Sequence, residues 1–288
     1  MAAPEILSAL TTPFDAEGEV DLPAFRANLD RLEPLVDGVF VAGTTGEFPA
    51  LSRAEHAALV EASLRTFGSE RVVVHVGAPS TRQSLALAAE AVRLGARRFA
   101  ALTPYYLPAS PAGITRHWGA IKEACGGDLY GYVYPDVAVT DLLPEDLPEV
   151  LASGIDGIKT SATAAARVEA YLAAAPAGFK LWSGNDADLP HVMAIGGTGT
   201  VSGCSGVHPW PWVDLREALR VGDEAAAAAA QARIEVVVPL IGPSIANLKH
   251  GLDTHGLTGG TCRMPIDPPD AATRASIDAA LAPSTPTA

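Results

Sequence analysis

Cysteine, basic charge and long apolar runs are all scarce in this chain of 288 residues, and each shortage excludes something. Its three cysteines, Cys125, Cys204 and Cys262, are odd in number and far apart, so reduced thiols in a cytoplasmic protein are expected rather than a disulfide framework. Only 20 Lys and Arg stand against 33 Asp and Glu, a net charge of −13. Phosphate binding needs clustered cations, so no nucleic-acid partner is expected. No apolar run reaches the length of a membrane span, and Met1-Ala2-Ala3-Pro4-Glu5 lacks the basic region and long apolar stretch of a secretion signal. The histidines are scattered, with no pair at His-x-x-x-His spacing, so neither a metal nor another cofactor is expected.

What is present is the material of a core. The chain is 48% hydrophobic and 18% charged, and its length fits one large α/β domain or two small ones. Short apolar runs recur at 6–11, 39–43, 72–77, 98–103, 130–134, 155–160, 180–183 and 199–203. Several are apolar on both sides, as expected of parallel strands covered on both faces. Helical patterns fill the gaps. Ser52-Arg53-Ala54-Glu55 and Ser80-Thr81-Arg82-Gln83 have the form of capping boxes, Gly95 stops the second helix, and Asp21 before Pro23 opens another. Eight such units predict a (β/α)8 TIM barrel over residues 1–206, with a doubly wound sheet as the alternative. Residues 207–288 read as a helical C-terminal extension. One helix follows His208-Pro209-Trp210-Pro211-Trp212; a second runs from near Asp223 through Ala225–Ala230 towards Lys249, kinked or divided by Pro239 and Pro243. Residues beyond about Pro283 are expected to fray.

Chemistry gathers at the strand ends, where a barrel keeps its active site. The sixth run ends Gly157-Ile158-Lys159-Thr160-Ser161. A lysine there can snorkel to solvent. Held in an apolar pocket, it instead loses the hydration that favours its charge and becomes an amine able to attack a carbonyl. The second run ends Gly43-Thr44-Thr45-Gly46-Glu47, an ordinary glycine-rich turn or one whose amides bind a carboxylate. The fourth ends Thr103-Pro104-Tyr105-Tyr106 and the fifth Tyr130-Gly131-Tyr132-Val133-Tyr134-Pro135. These are packing aromatics or phenols that shuttle protons. Ser183-Gly184-Asn185-Asp186 is a helix cap or a set of hydroxyl-binding groups.

Together with Thr12-Pro13-Phe14 and Gly199–Ser202, these motifs cover nearly the whole chain. In combination they resemble the dihydrodipicolinate synthase/N-acetylneuraminate lyase family of Schiff-base-forming aldolases. The resemblance implies an eight-stranded barrel, assembled as a homotetramer, that makes or breaks a carbon–carbon bond with pyruvate and an aldehyde as partners. It implies Lys159 as the Schiff-base lysine. Thr44 and Thr45 would hold the pyruvate carboxylate and relay protons with Tyr134, and Tyr106 would extend that relay across a dimer interface. Gly46, Ser183, Asp186 and Val201 complete the implied substrate contacts. The family's tyrosine stands in a Tyr-Asn-x-Pro sequence from which this chain departs. Matching the proline selects Tyr132; matching the spacing on both sides selects Tyr134, the register adopted here.

In that register the arginine with which dihydrodipicolinate synthases bind the carboxylate of their aldehyde becomes Val139, and 135–140 holds no basic residue. A valine cannot replace a bidentate guanidinium. Cys262-Arg263-Met264-Pro265-Ile266 and Ser183–Asp186 look more like the 2-keto-3-deoxy sugar acid aldolases. That aldolase activity is the expectation. A dehydratase or synthase on the same scaffold and a keto-acid-binding protein without activity are the alternatives.

Overall fold

The computed structural model describes residues 3–242 and 244–282. Its eight strands are β1 (Glu5–Ala9), β2 (Gly38–Val41), β3 (Val72–His75), β4 (Arg98–Leu102), β5 (Asp128–Val133), β6 (Gly157–Thr160), β7 (Lys180–Ser183) and β8 (Gly199–Ser202). Each coincides with one of the apolar runs. All pair in parallel in sequence order, and β8 returns to β1 from Glu5↔Gly199 to Ser8↔Ser202, closing a barrel. The doubly wound alternative would have left β1 unpaired with β8. Closure is tight at one point: a side chain at Gly199 would stand 2.0 Å from the Glu5 carbonyl oxygen.

Strand alternation sorts side chains into two layers. On β4, Phe99 and Ala101 face the surrounding helices, while Ala100 and Leu102 face the barrel interior with Leu7, Phe40, Val73, Tyr132 and Trp182. The Ser52 capping box forms in full, with Ser52 and Glu55 each accepting the other's amide. Ser80 caps Thr81–Arg93, but Gln83 accepts from the Ser80 hydroxyl and leaves the reciprocal bond unmade. Asp21 caps Leu22–Leu32 as expected.

Beyond β8, helix Trp210–Val221 is fixed to the barrel by Arg216, which bonds Asp37 at 2.9 Å. Arg31 donates to the carbonyls of Gly206 and Val207. The long helix expected to reach Lys249 is two helices, Glu224–Ile241 and Ile245–Thr254, and Pro239 lies inside the first without dividing it. The expectations for Pro243 and for the residues beyond about Pro283 lie outside the described residues. From the alanine run, Ala227 and Ala230 pack inward.

Candidate active site

β6 sets Lys159 between Tyr132 of β5 and Trp182 of β7, its register partners. The lysine is 6% exposed. Its Nζ lies 4.1 Å from the centre of the Tyr132 ring and 4.7 Å from that of Phe40. Burial removes the water that would stabilise the ammonium, and the more distant Asp186 carboxylate only partly compensates, so the amine is lowered to about 7. Near neutral pH a large share of Lys159 is therefore the free base.

The Tyr132 hydroxyl and Thr44 Oγ1 are hydrogen-bonded at 3.3 Å. Burial raises the phenol, against hydrogen bonds from Thr44 and Ser161 that favour its ionised form. The sequence register had placed Tyr134 beside Thr44. The structure puts Tyr132 there, because β5 ends at Val133 and Tyr134 stands beyond it as the cap of a short helix, Pro135–Ala138. The two rings are 6.0 Å apart and both line the cavity.

The turn carrying Thr44 and Thr45 is held from behind. Its internal bonds use the amides of Gly46, Glu47 and Phe48, and Thr12 Oγ1 donates to the Gly46 carbonyl at 2.8 Å. His75 Nδ1 lies 3.0 Å from the carbonyl of Ala42, a residue with φ of +54°, while its Nε2 accepts the Leu102 amide. Burial drives His75 down to about 3, so the ring is neutral and both nitrogens are used structurally. Glu47, fully buried, binds Lys249 Nζ at 2.6 Å and accepts the amides of Arg263 and Met264. This ion pair ties the turn to helix Ile245–Thr254.

The cavity over Lys159 has a volume of about 700 Å³. Of the residues named from the sequence, Thr44, Thr45, Tyr134, Asp186 and Val201 line it with the lysine. Three other expected residues do not. Gly46 lies buried behind the turn; Ser183 is fully buried and accepts the Asn185 amide at 3.0 Å; Tyr106 is 84% exposed on the surface. The Asp186 carboxylate receives Thr200, Ser202 and Trp212, the last two at 2.7 and 2.8 Å. Burial raises its affinity for a proton while these donors and Lys159 oppose that. Asp186 thus has little accepting capacity left for a substrate hydroxyl.

Sequence reasoning passed over Ser161. It lines the cavity, and a side chain at Gly184 would come within 2.6 Å of its hydroxyl, so the glycine gives that hydroxyl room. Two-residue alternation from Lys159 pointed to it. In the C-terminal wall, Ile266 ends the Cys262–Ile266 motif, while Val238, Ile245 and Leu248 had no comparable signal.

The profile of the dihydrodipicolinate synthetase family matches residues 2–283. The chain belongs to this family. It is an aldolase-type lyase. A 4-hydroxy-tetrahydrodipicolinate synthase of Leptothrix cholodnii is 33% identical over 284 residues, covering 95% of each chain. Among solved structures, a prophage protein of the dihydrodipicolinic acid synthase family from E. coli K12, in complex with pyruvate, is 26% identical with a TM-score of 0.87, covering 96% of this chain and 97% of that one. The sialic acid aldolase of Ruminococcus gnavus shares the fold, with a TM-score of 0.88 at 22% identity over 97% of this chain and 94% of that one.

Proposed function

We propose that this lyase joins Lys159 to the keto carbon of a 2-keto acid and makes or breaks the carbon–carbon bond beside it. The preferred substrate is a 2-keto-3-deoxy sugar acid, with pyruvate as one product and a neutral hydroxyaldehyde as the other. One observation carries this reading: a buried amine lowered to about 7, between two aromatic faces and beside the Tyr132–Thr44 hydroxyl pair.

In the cleavage direction the free amine adds to the C2 carbonyl, and the resulting carbinol hydroxyl takes a proton from the Tyr132–Thr44 pair and leaves as water, giving a protonated imine and a deprotonated pair. The amides and hydroxyls of Thr44 and Thr45 receive the carboxylate. The C4 hydroxyl gives its proton to the Tyr132–Thr44 chain as the C3–C4 bond breaks. That electron pair moves into the imine to leave an enamine, and the C4 fragment departs as an aldehyde. The enamine takes a proton at C3, and water releases pyruvate and the lysine. Tyr134 lines the same cavity. In the family pattern Tyr106 serves a neighbouring copy, which its exposed position permits.

The name of the Leptothrix relative points to the synthase reaction instead, whose aldehyde bears a carboxylate. Against it, Lys159 is the one basic side chain among the described residues lining the cavity. Val139, where the first register sought an arginine, is exposed and outside it. Borohydride reduction in the presence of pyruvate, followed by peptide mass spectrometry, tests the chemistry. A reduced pyruvyl adduct on Lys159 is expected. A chain left unmodified between pH 7 and 9, where the amine is free, refutes the reading. Product analysis then separates an aldolase, giving pyruvate and an aldehyde, from a dehydratase that leaves the carbon chain intact.

A further inference from the structure

The chemistry of the cavity walls divides by the part of the chain that supplies them. The barrel contributes most of the polar groups, the hydroxyls of Thr44, Thr45, Tyr132, Tyr134 and Ser161, alongside Ala162 and Val201. The segments after β8 and its following helices contribute Val238, Pro239, Ile245, Leu248 and Ile266. The side-chain hydroxyl among the described lining residues on that side, Ser244, accepts the Asn247 amide as the cap of Ile245–Thr254 and keeps its proton to donate. The charged side chains among the described lining residues, Lys159 and Asp186, both come from the barrel, and Asp186 is already bonded to three donors.

A carbon chain anchored at Lys159 must lie between these walls. Hydroxyls turned to the barrel find the hydroxyls of Ser161 and Tyr134. A hydroxyl turned to Val238, Ile245 or Leu248 finds hydrocarbon and loses its water without replacement. The aldehyde half is then best matched by a group polar on one edge and apolar at its end. An anionic end is opposed by the apolar wall and by the negative Asp186.

We propose that the substrate is a terminally deoxygenated 2-keto-3-deoxy sugar acid: a 2-keto-3,6-dideoxyhexonate, whose C6 methyl packs against Ile245 and Val238. This rests on the aldolase reading above and names the substrate class within it. Breaking C3–C4 sends the bonding pair into the imine, passes the C4 hydroxyl proton to the enzyme, and releases 2-hydroxypropanal. C3 then takes up a proton and water frees pyruvate, so no oxidant or cofactor enters the balance.

The test compares kcat/KM for release of pyruvate from 2-keto-3,6-dideoxyhexonates and from 2-keto-3-deoxyhexonates of matching C4 and C5 configuration. A hydrophobic contact that discriminates a methyl from a hydroxymethyl group is worth about 10–100-fold, and a preference for the dideoxy acid of that size is expected. Ile245→Thr, close in shape but polar, should shrink the preference by about 3–10-fold while leaving pyruvate trapping on Lys159 intact. Equal or reversed preference, or turnover of neither acid, with trapping still present would overturn the substrate assignment and leave the Schiff-base reading standing. Loss of trapping in the unaltered protein would remove both.

Discussion

The barrel interior holds two buried cations at opposite ends, and they are treated in opposite ways. At the end where the strands begin, Arg98 reaches across from β4 to β1 and grips Glu5 with two nitrogens at 2.8 and 3.1 Å. Its Nη1 also donates to the Glu70 carbonyl, and Trp182 Nε1 donates to the same Glu5 carboxylate. Burial alone would lower the guanidinium, but Glu5 outweighs it and the group is held above its ordinary range. At the end where the strands finish, Lys159 lies against aromatic faces, and its nearest charged influence, Asp186, is committed to other donors. The amine falls to about 7. A guanidinium cannot escape burial by losing its proton, whereas an ammonium can. The closed end therefore needs a counter-ion and the open end works without one. One ring beside each cation comes from the same strand two residues apart, Tyr130 for Arg98 and Tyr132 for Lys159.

The largest effect should come from deleting the unpaired cation. Lys159→Met is expected to abolish turnover, by more than about 10⁴-fold, since no other nucleophile replaces the amine. The same change should stabilise the fold. Folded lysine binds its proton with a pKa of about 7 against 10.5 for an ordinary lysine. The burial penalty is therefore complete below pH 7, shrinks as pH rises from 7 to 10.5, and is absent above. Its size below pH 7 is on the order of 5 kcal/mol. Melting temperatures of the two proteins should differ more at pH 6 than at pH 9. A difference that grows with pH would mean that the amine is not buried as described.

The paired cation should respond in the reverse sense. Glu5→Gln leaves Arg98 buried without its counter-ion, and a loss of about 3–5 kcal/mol is expected in urea unfolding at pH 7. Adding Arg98→Met to Glu5→Gln should recover most of that loss, because a buried pair replaced by apolar contacts is close to neutral. The pH dependence of borohydride trapping at Lys159 should stay the same in every variant that folds. Movement of that profile would mean that the two ends are electrostatically coupled.

How far each end could be read in the sequence follows from where its partners lie along the chain. The strands were legible because each is a local apolar run, and Lys159 because it breaks one. Thr44 and Thr45 were legible because glycines frame them. Glu47 and Lys249 are 202 residues apart, and nothing local in either segment announces their ion pair. The same separation hid the apolar wall around Ile245. Arg98 with Glu5 was hidden too, since a charge inside a strand reads alike whether it faces the interior or water. Tyr132 and Tyr134 show the limit of spacing: both fit the alternation, and only the end of β5 at Val133 decides which hydroxyl meets Thr44.

That choice supplies the smallest and sharpest test of the open end. Tyr132→Phe keeps the ring under the Lys159 amine but removes the hydroxyl bonded to Thr44. Loss of a positioned proton carrier is worth about 10²–10³-fold, and it should fall on kcat while the lysine still forms its adduct with pyruvate. Tyr134→Phe removes a hydroxyl that lies outside this pair, and a decrease under about tenfold is expected. If the magnitudes are reversed in single-turnover cleavage, the proton path runs through Tyr134. The register drawn from spacing would then outrank the Tyr132–Thr44 hydrogen bond as the guide to the proton path.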